Sequence, residues 1–250
     1  MAEFDRPSVA ARPGTAAVID EGLRSYMLKV YNYMGIGLVV TGVVAYFTFA
    51  NAFVQENGRI VGLTDFGNVI YNSPLQWIVM LAPLAFVLVL SFGVQKLSTP
   101  TTQVLFWVFA AVMGLSLGSI FAVYTMTSIS QVFFISAATF GAMSLYGYTT
   151  KTDLTKFGSF LIMGLIGVVI ASIVNIFLHS SGLSFAISIV GVLVFVGLTA
   201  WDTQRIKENY DAGYGADILA KSAVMGALSL YLDFINLFLM LLRLFGNQRN

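Results

Sequence analysis

Two aspartates are the residues of this chain best placed to do chemistry. Asp233 lies in the middle of the last apolar run, Ala223 to Leu242, with no cation within a helical turn. An ionised carboxylate in hydrocarbon costs roughly 2.5 to 3.5 kcal/mol even on lenient insertion scales, so it needs a partner, water or a proton. Asp202 closes the preceding apolar segment in Gly197-Leu198-Thr199-Ala200-Trp201-Asp202. If the two approach, both cannot stay ionised cheaply; they share a proton and form a pH switch. Losing that proton adds a second negative charge, which drives the helices apart or draws in a hard cation such as Ca²⁺. Two carboxylates alone fall short of the six to eight oxygens that Ca²⁺ prefers, so Asp202 and Asp233 are expected to bind it weakly along a path. The plain alternative has Asp202 capping a helix in water and Asp233 hydrogen-bonded to a neighbouring hydroxyl or amide.

The elements that must carry this pair follow from composition. The chain is 58% hydrophobic and 10% charged, and its apolar residues come in runs of about 20, the length of a helix that spans a bilayer. Seven such runs are read: Val30 to Ala50, Leu75 to Val94, Val104 to Tyr124, Val132 to Thr149, Phe157 to Leu178, Leu183 to Trp201 and Ala223 to Leu242. The expected fold is an all-α membrane protein, a seven-transmembrane-helix bundle over residues 23–250. Residues 1–22 are read as a disordered cytoplasmic tail. No separate catalytic domain is available, and an enzyme is not expected. The connection from Asn51 to Ser73 is read as a solvated loop.

Lysine and arginine placement orients the bundle. Ten fall on the amino-terminal side of the membrane and three on the other, which predicts a cytoplasmic amino terminus. Arg243 and Arg249 complicate the count, because a re-entrant seventh run would move both to the cytoplasmic side. A proline-free run of about 20 residues favours a full crossing instead.

Helical spacing sharpens the site. Asp233, Asn236, Met240 and Arg243 share one stripe, and Asp202 shares another with Thr199, Phe195 and Ser188, with Arg205 one turn later. Arg205, Asn236 and Arg243 are therefore the candidate charge partners or gate. Depth is the difficulty, since Asp233 is about 15 Å along a helix from Ala223 whereas Asp202 ends its own run. The two can meet if the sixth helix continues toward Lys207, and no Gly or Pro interrupts it before Gly213.

Other features carry less. Ala110, Gly114, Gly118 and Ala122 form a small-residue stripe suited to close helix packing. Gly114-Leu115-Ser116-Leu117-Gly118 matches the nucleophile-elbow pattern, but inside a helix it has no strand-to-helix turn to expose the serine. His179 reads as a solvated helix end. The chain has no cysteine, hence no disulfide or thiolate metal site, and no glycine-rich phosphate loop; no cofactor is expected, with Ca²⁺ only as a permeant ion. The net charge of +1 argues against a nucleic-acid partner.

Five blocks, Arg24-Ser25-Tyr26-Met27, Gly147-Tyr148-Thr149-Thr150, Gly164-Leu165-Ile166-Gly167, Gly197-Leu198-Thr199-Ala200-Trp201-Asp202-Thr203-Gln204 and Leu230-Tyr231-Leu232-Asp233-Phe234-Ile235-Asn236, run in order along the chain. Together they resemble the transmembrane Bax inhibitor motif family in its bacterial branch. The resemblance implies a last helix enclosed by the other six and a pH-sensitive Ca²⁺ leak, with the family's paired aspartates at Asp202 and Asp233. It implies a bacterial inner-membrane location, with the lipid bilayer, Ca²⁺ and protons as partners. The family's gating cation on the second helix has no counterpart in Leu75 to Val94, and Lys96 follows that run.

Two other functions stay open. Some bacterial relatives restrain a membrane-anchored AAA protease, and the tail Met1 to Asp20 offers such a protease a handle. An intramembrane aspartyl protease also needs two aspartates sharing a proton, but here Leu230-Tyr231-Leu232 precedes Asp233 where those enzymes carry a glycine motif, and no proline follows Pro100.

Overall fold

Seven helices long and apolar enough to cross a membrane organise the chain, at Glu21–Ala52, Leu75–Gly93, Thr99–Val123, Met126–Thr149, Thr155–Leu178, Ser181–Glu208 and Ala216–Phe245. They come from a computed structural model that describes residues 13–56 and 59–249. The elements in order are α1 (Pro13–Ala52), β1 (Phe53–Glu56), β2 (Arg59–Leu63), α2 (Asp65–Tyr71), α3 (Leu75–Gly93), α4 (Thr99–Leu117), α5 (Ile120–Val123), α6 (Met126–Thr149), α7 (Thr155–Leu178), α8 (Ser181–Glu208) and α9 (Ala216–Phe245). All seven expected spans are present.

Most helices run past the apolar runs because their caps are polar. The side chains of Ser98, Thr125 and Ser180 accept hydrogen bonds from the backbone N–H of Thr101, Ser128 and Leu183 and so start α4, α6 and α8. Helix α1 begins at Pro13, a residue preset for a first helical position, so residues 13–22 are helical where a disordered tail was expected. Residues 1–12 of that tail lie outside the described residues. The Asn51 to Ser73 connection is likewise not a plain loop: β1 and β2 pair antiparallel, with Phe53 opposite Leu63 and Glu56 opposite Arg59.

Helix α9 is the most buried of the seven, with 72% of its apolar window inside the protein against 50% for α8 and less elsewhere. It packs against α1, α4, α6 and α8, while α3 lies on α4 and α7 on α8. The wall around α9 is therefore made by four helices, and α3 and α7 form an outer layer. Six enclosing helices were expected, and four make the direct wall; close approaches at glycines bring α8 and α1 against α9. Gly226 faces Ile206 of α8, Gly191 of α8 faces Met240, and Gly37 of α1 lies against Phe106 and Tyr231.

The seventh helix runs the full length of the bundle without turning back. Its 30 residues reach about 45 Å, and the chain beyond it is tied to the α5–α6 connection on the far side. Thr125 N–H donates to Asn247 O at 3.1 Å and Arg249 N–H to Val123 O at 2.9 Å. The small-residue stripe packs on α1: a side chain at Gly114 would strike Thr41 O and Val44, and one at Gly118 would strike Thr48. Just past Leu117 the helix breaks into α5. His179 is exposed and caps α7 in the left-handed conformation, φ 50°.

Candidate functional site

Asp202 and Asp233 meet where α8 and α9 cross. Their carboxyl groups lie within hydrogen-bonding reach of each other, and the residues are only 7% and 5% exposed. The depth problem is solved as anticipated for α8, which continues to Glu208, six residues past Asp202. Helix α9 starts beyond the end of α8, and the Gly226–Ile206 and Gly191–Met240 contacts set an antiparallel register that brings the two carboxyls together diagonally.

Arg205 is the cation at this pair. Its Nη2 lies 2.9 Å from Asp202 Oδ1, but the N–H directions miss the oxygen, so the contact is an ion pair without an aligned hydrogen bond. The guanidinium is half exposed and stacks over Trp201, 4.6 Å from the ring centre. Its attraction for Asp202 is accordingly screened by solvent. Asp202 Oδ1 and Asp233 Oδ2 are buried without a hydrogen-bond partner. Buried carboxyl oxygens with no donor from neighbouring groups call for a proton between the two carboxyls or for water, which makes this crossing a polar point inside an apolar bundle.

The other two candidate partners are not brought to the pair. Asn236 Nδ2 donates to Leu232 O of its own helix at 2.8 Å. Arg243 is exposed near the carboxyl end of α9, ten residues or about 15 Å beyond Asp233. A helical stripe runs the length of a helix, whereas a site occupies one depth.

Around the pair the structure adds residues that sequence reasoning passed over. Thr203 hydroxyl donates to Thr199 O at 2.8 Å, so Ser144 must donate to Thr203 at 3.0 Å and Tyr31 to Ser144 at 2.7 Å. This directed line joins α1, α6 and α8. Gln204 accepts from Leu154 N–H and donates to Thr152 O, both at 2.8 Å, pinning the α6–α7 connection to α8. Lys207 Nζ donates to Tyr148 O at 2.8 Å. On the opposite face of α9, Tyr231 is held by Thr41 between Phe106 and Phe109.

Among the described residues no cluster of three or more His, Asp or Glu side chains could hold a metal ion. Two carboxylates with a guanidinium on one of them do not fit a resident Ca²⁺, which needs more oxygens and no competing cation. A transient, permeant ion is a different case, because it is not held.

Seven apolar crossings, a buried seventh span and an acidic pair at the contact of the last two helices define a polytopic helical membrane protein with a charged internal point. The family described as inhibitor of apoptosis-promoting Bax1 matches residues 23–250, and the chain belongs to that family. It is 50% identical to an uncharacterized protein of Rickettsia prowazekii, over 92% of this chain and 93% of that one. It is 49% identical to the inner membrane protein YbhL of Escherichia coli, over 91% and 94%. An uncharacterized membrane protein of Streptococcus pyogenes is 37% identical over 92% and 95%.

Proposed function

We propose that this protein is a pH-sensitive, Ca²⁺-permeable leak pathway in a bacterial inner membrane, its amino terminus cytoplasmic, with Asp202 and Asp233 as sensor and ion path. The observation that carries the reading is the meeting of these two buried carboxyls at the α8–α9 crossing. At hydrogen-bonding distance one proton between them makes a stable contact, and two negative charges do not. Protonation therefore favours α8 and α9 closed on each other. Deprotonation pushes the helices apart at this point and leaves two carboxylates facing the gap, the hard oxygen ligands that a divalent cation selects.

The charged and titratable groups nearby fit this switch. Arg205 reaches Asp202 from solvent, Lys207 is turned to Tyr148 O, and Tyr231 is turned to Thr41. None of them occupies the space between the two carboxyls. The name of the Escherichia coli relative supports the inner-membrane location.

The test is Ca²⁺ flux into proteoliposomes across pH 5 to 8, with intact protein, Asp202→Asn and Asp233→Asn compared. Flux that titrates with pH and loses its pH response in either variant supports the leak. Flux equal to that of empty liposomes at every pH sinks it.

A further inference from the structure

Helices α1 and α6 both pack on α9 and meet each other at the Tyr31–Ser144 hydrogen bond. Between them lies a void of 520 Å³ lined by Arg24, Leu28 and Tyr31 of α1 and Gly141, Leu145 and Tyr148 of α6. Its walls are apolar, and its polar groups sit at one end or at its floor. Arg24 is exposed at the amino-terminal end. The Tyr31 hydroxyl is spent on Ser144 at the floor. Nothing obstructs the void from inside: a side chain at Gly141 would meet no atom within 4 Å, and the same holds for Gly35 and Gly42 farther along α1. A second void of 340 Å³, with Gly42 and Phe134 on its two sides and Phe234 from α9, continues the seam toward the other membrane face.

We propose that the Arg24–Tyr148 void is a binding site for one anionic glycerophospholipid, its phosphate on the Arg24 guanidinium and one acyl chain lying over Gly141. Length, charge and shape agree. From Arg24 the seam follows α1 to Leu38, about 21 Å, and a leaflet contributes about 15 Å of hydrocarbon. A guanidinium at the headgroup level pairs with phosphate in a bidentate manner. Apolar walls without protruding side chains take a flexible chain at little cost in protein rearrangement. The bound lipid fills the gap between α1 and α6 and lies directly on the Tyr31–Ser144 bond that forms its floor.

The test is native mass spectrometry of the detergent-solubilised full chain, titrated with phosphatidylglycerol or with phosphatidylcholine of matched chains. The expected result is one retained phosphatidylglycerol, preferred over phosphatidylcholine. Gly141→Leu, whose Cβ would meet no protein atom within 4 Å, puts a side chain in the void and should abolish that retention. Arg24→Gln should weaken it roughly fivefold, the loss of one interfacial cation, and erase the headgroup preference. Gly167→Leu is the control, because Gly167 on α7 also faces open space but lies outside the seam; it should retain lipid as the unaltered chain does. Equal retention in Gly141→Leu and Gly167→Leu, or no preference for the anionic lipid in the unaltered chain, overturns the proposal. A thermal unfolding transition measured on each variant separates loss of lipid from loss of fold.

Discussion

Tyr231 donates its phenolic hydrogen to Thr41 Oγ1 at 2.6 Å, and the direction is forced, because the Thr41 hydroxyl spends its own hydrogen on Ala110 O at 2.8 Å. One short chain of bonds thereby ties α9 to α1 and α1 to α4, two residues from Asp233. Tyr231 is fully buried, and its ring meets Phe106 and Phe109 edge to face. Tyr231→Phe keeps the ring packing and removes one hydrogen bond. The expected cost is about 1 kcal/mol, read as a small drop in the midpoint of thermal unfolding in detergent. An unchanged midpoint would show that the bond contributes nothing net. A much larger drop would mean that the ring packing had moved as well.

The aspartate pair gives the sharpest functional expectation. If one proton holds the α8–α9 crossing closed, Ca²⁺ flux rises as pH increases through the titration of the pair. Asp233→Asn puts a permanent hydrogen-bond donor where the shared proton would be, so its flux should stay low and flat from pH 5 to 8. Asp202→Asn should flatten the response too, and it also frees Arg205, whose half-exposed guanidinium is easily solvated. Its effect on stability is therefore expected to be small. A variant that keeps the full pH response would remove its aspartate from the sensor.

How much of this was legible beforehand depends on the kind of signal. The seven spans follow from run length, and the pair follows from the rarity of carboxylates in hydrocarbon. Their meeting needed only that α8 continue past Trp201, which the unbroken stretch to Lys207 allowed. The extra helical turns were missed because capping is done by Ser98, Thr125 and Ser180, polar residues outside the apolar runs. Arg243 and Asn236 were over-read, since a stripe fixes a face and leaves depth open. Tyr31, Ser144 and Thr203 carried no signal at all: three hydroxyls on three helices become a line only after α1, α6 and α8 are docked. Gln204 was within reach, as an amide directly after the Asp202-Thr203 pair at a helix end facing a short connection.

The glycines divide into two groups that should respond oppositely to the same change. At Gly147 a side chain would run into the backbone carbonyl of Ala200, and at Gly158 into the ring of Trp201. These are close approaches of α6 and α7 to α8, and they seat the segment that holds Asp202. Gly147→Ala and Gly158→Ala must push helices apart, at about 1 to 3 kcal/mol each. Gly167→Ala, with nothing within 4 Å, should raise the unfolding midpoint slightly, because alanine is the better helix former by about 0.5 to 1 kcal/mol. If all three variants unfold alike, the close packing of α8 does not depend on these contacts.

Asp153 supplies a control on the pH response, because it is an acid near the site that should not contribute. It lies in the α6–α7 connection that Gln204 pins to α8. Hydrogen bonds from the Thr155 hydroxyl and from Thr155 N–H, the latter at 2.8 Å, hold its carboxyl below the usual carboxylate range, with Lys156 adding a smaller pull. The sign follows from that lowering. The folded state binds this proton less readily than the unfolded chain does, so the contribution to stability is present above the unfolded value and is lost as pH falls through the folded one. Asp153 is fully exposed, and it stays ionised throughout pH 5 to 8. Asp153→Asn should therefore leave the pH profile of Ca²⁺ flux unchanged while the Asp202 and Asp233 variants flatten it. Amide exchange at Thr155 should quicken in the same variant, since an amide oxygen is a weaker acceptor than a carboxylate. A shifted flux profile in Asp153→Asn would place part of the sensor in the α6–α7 connection.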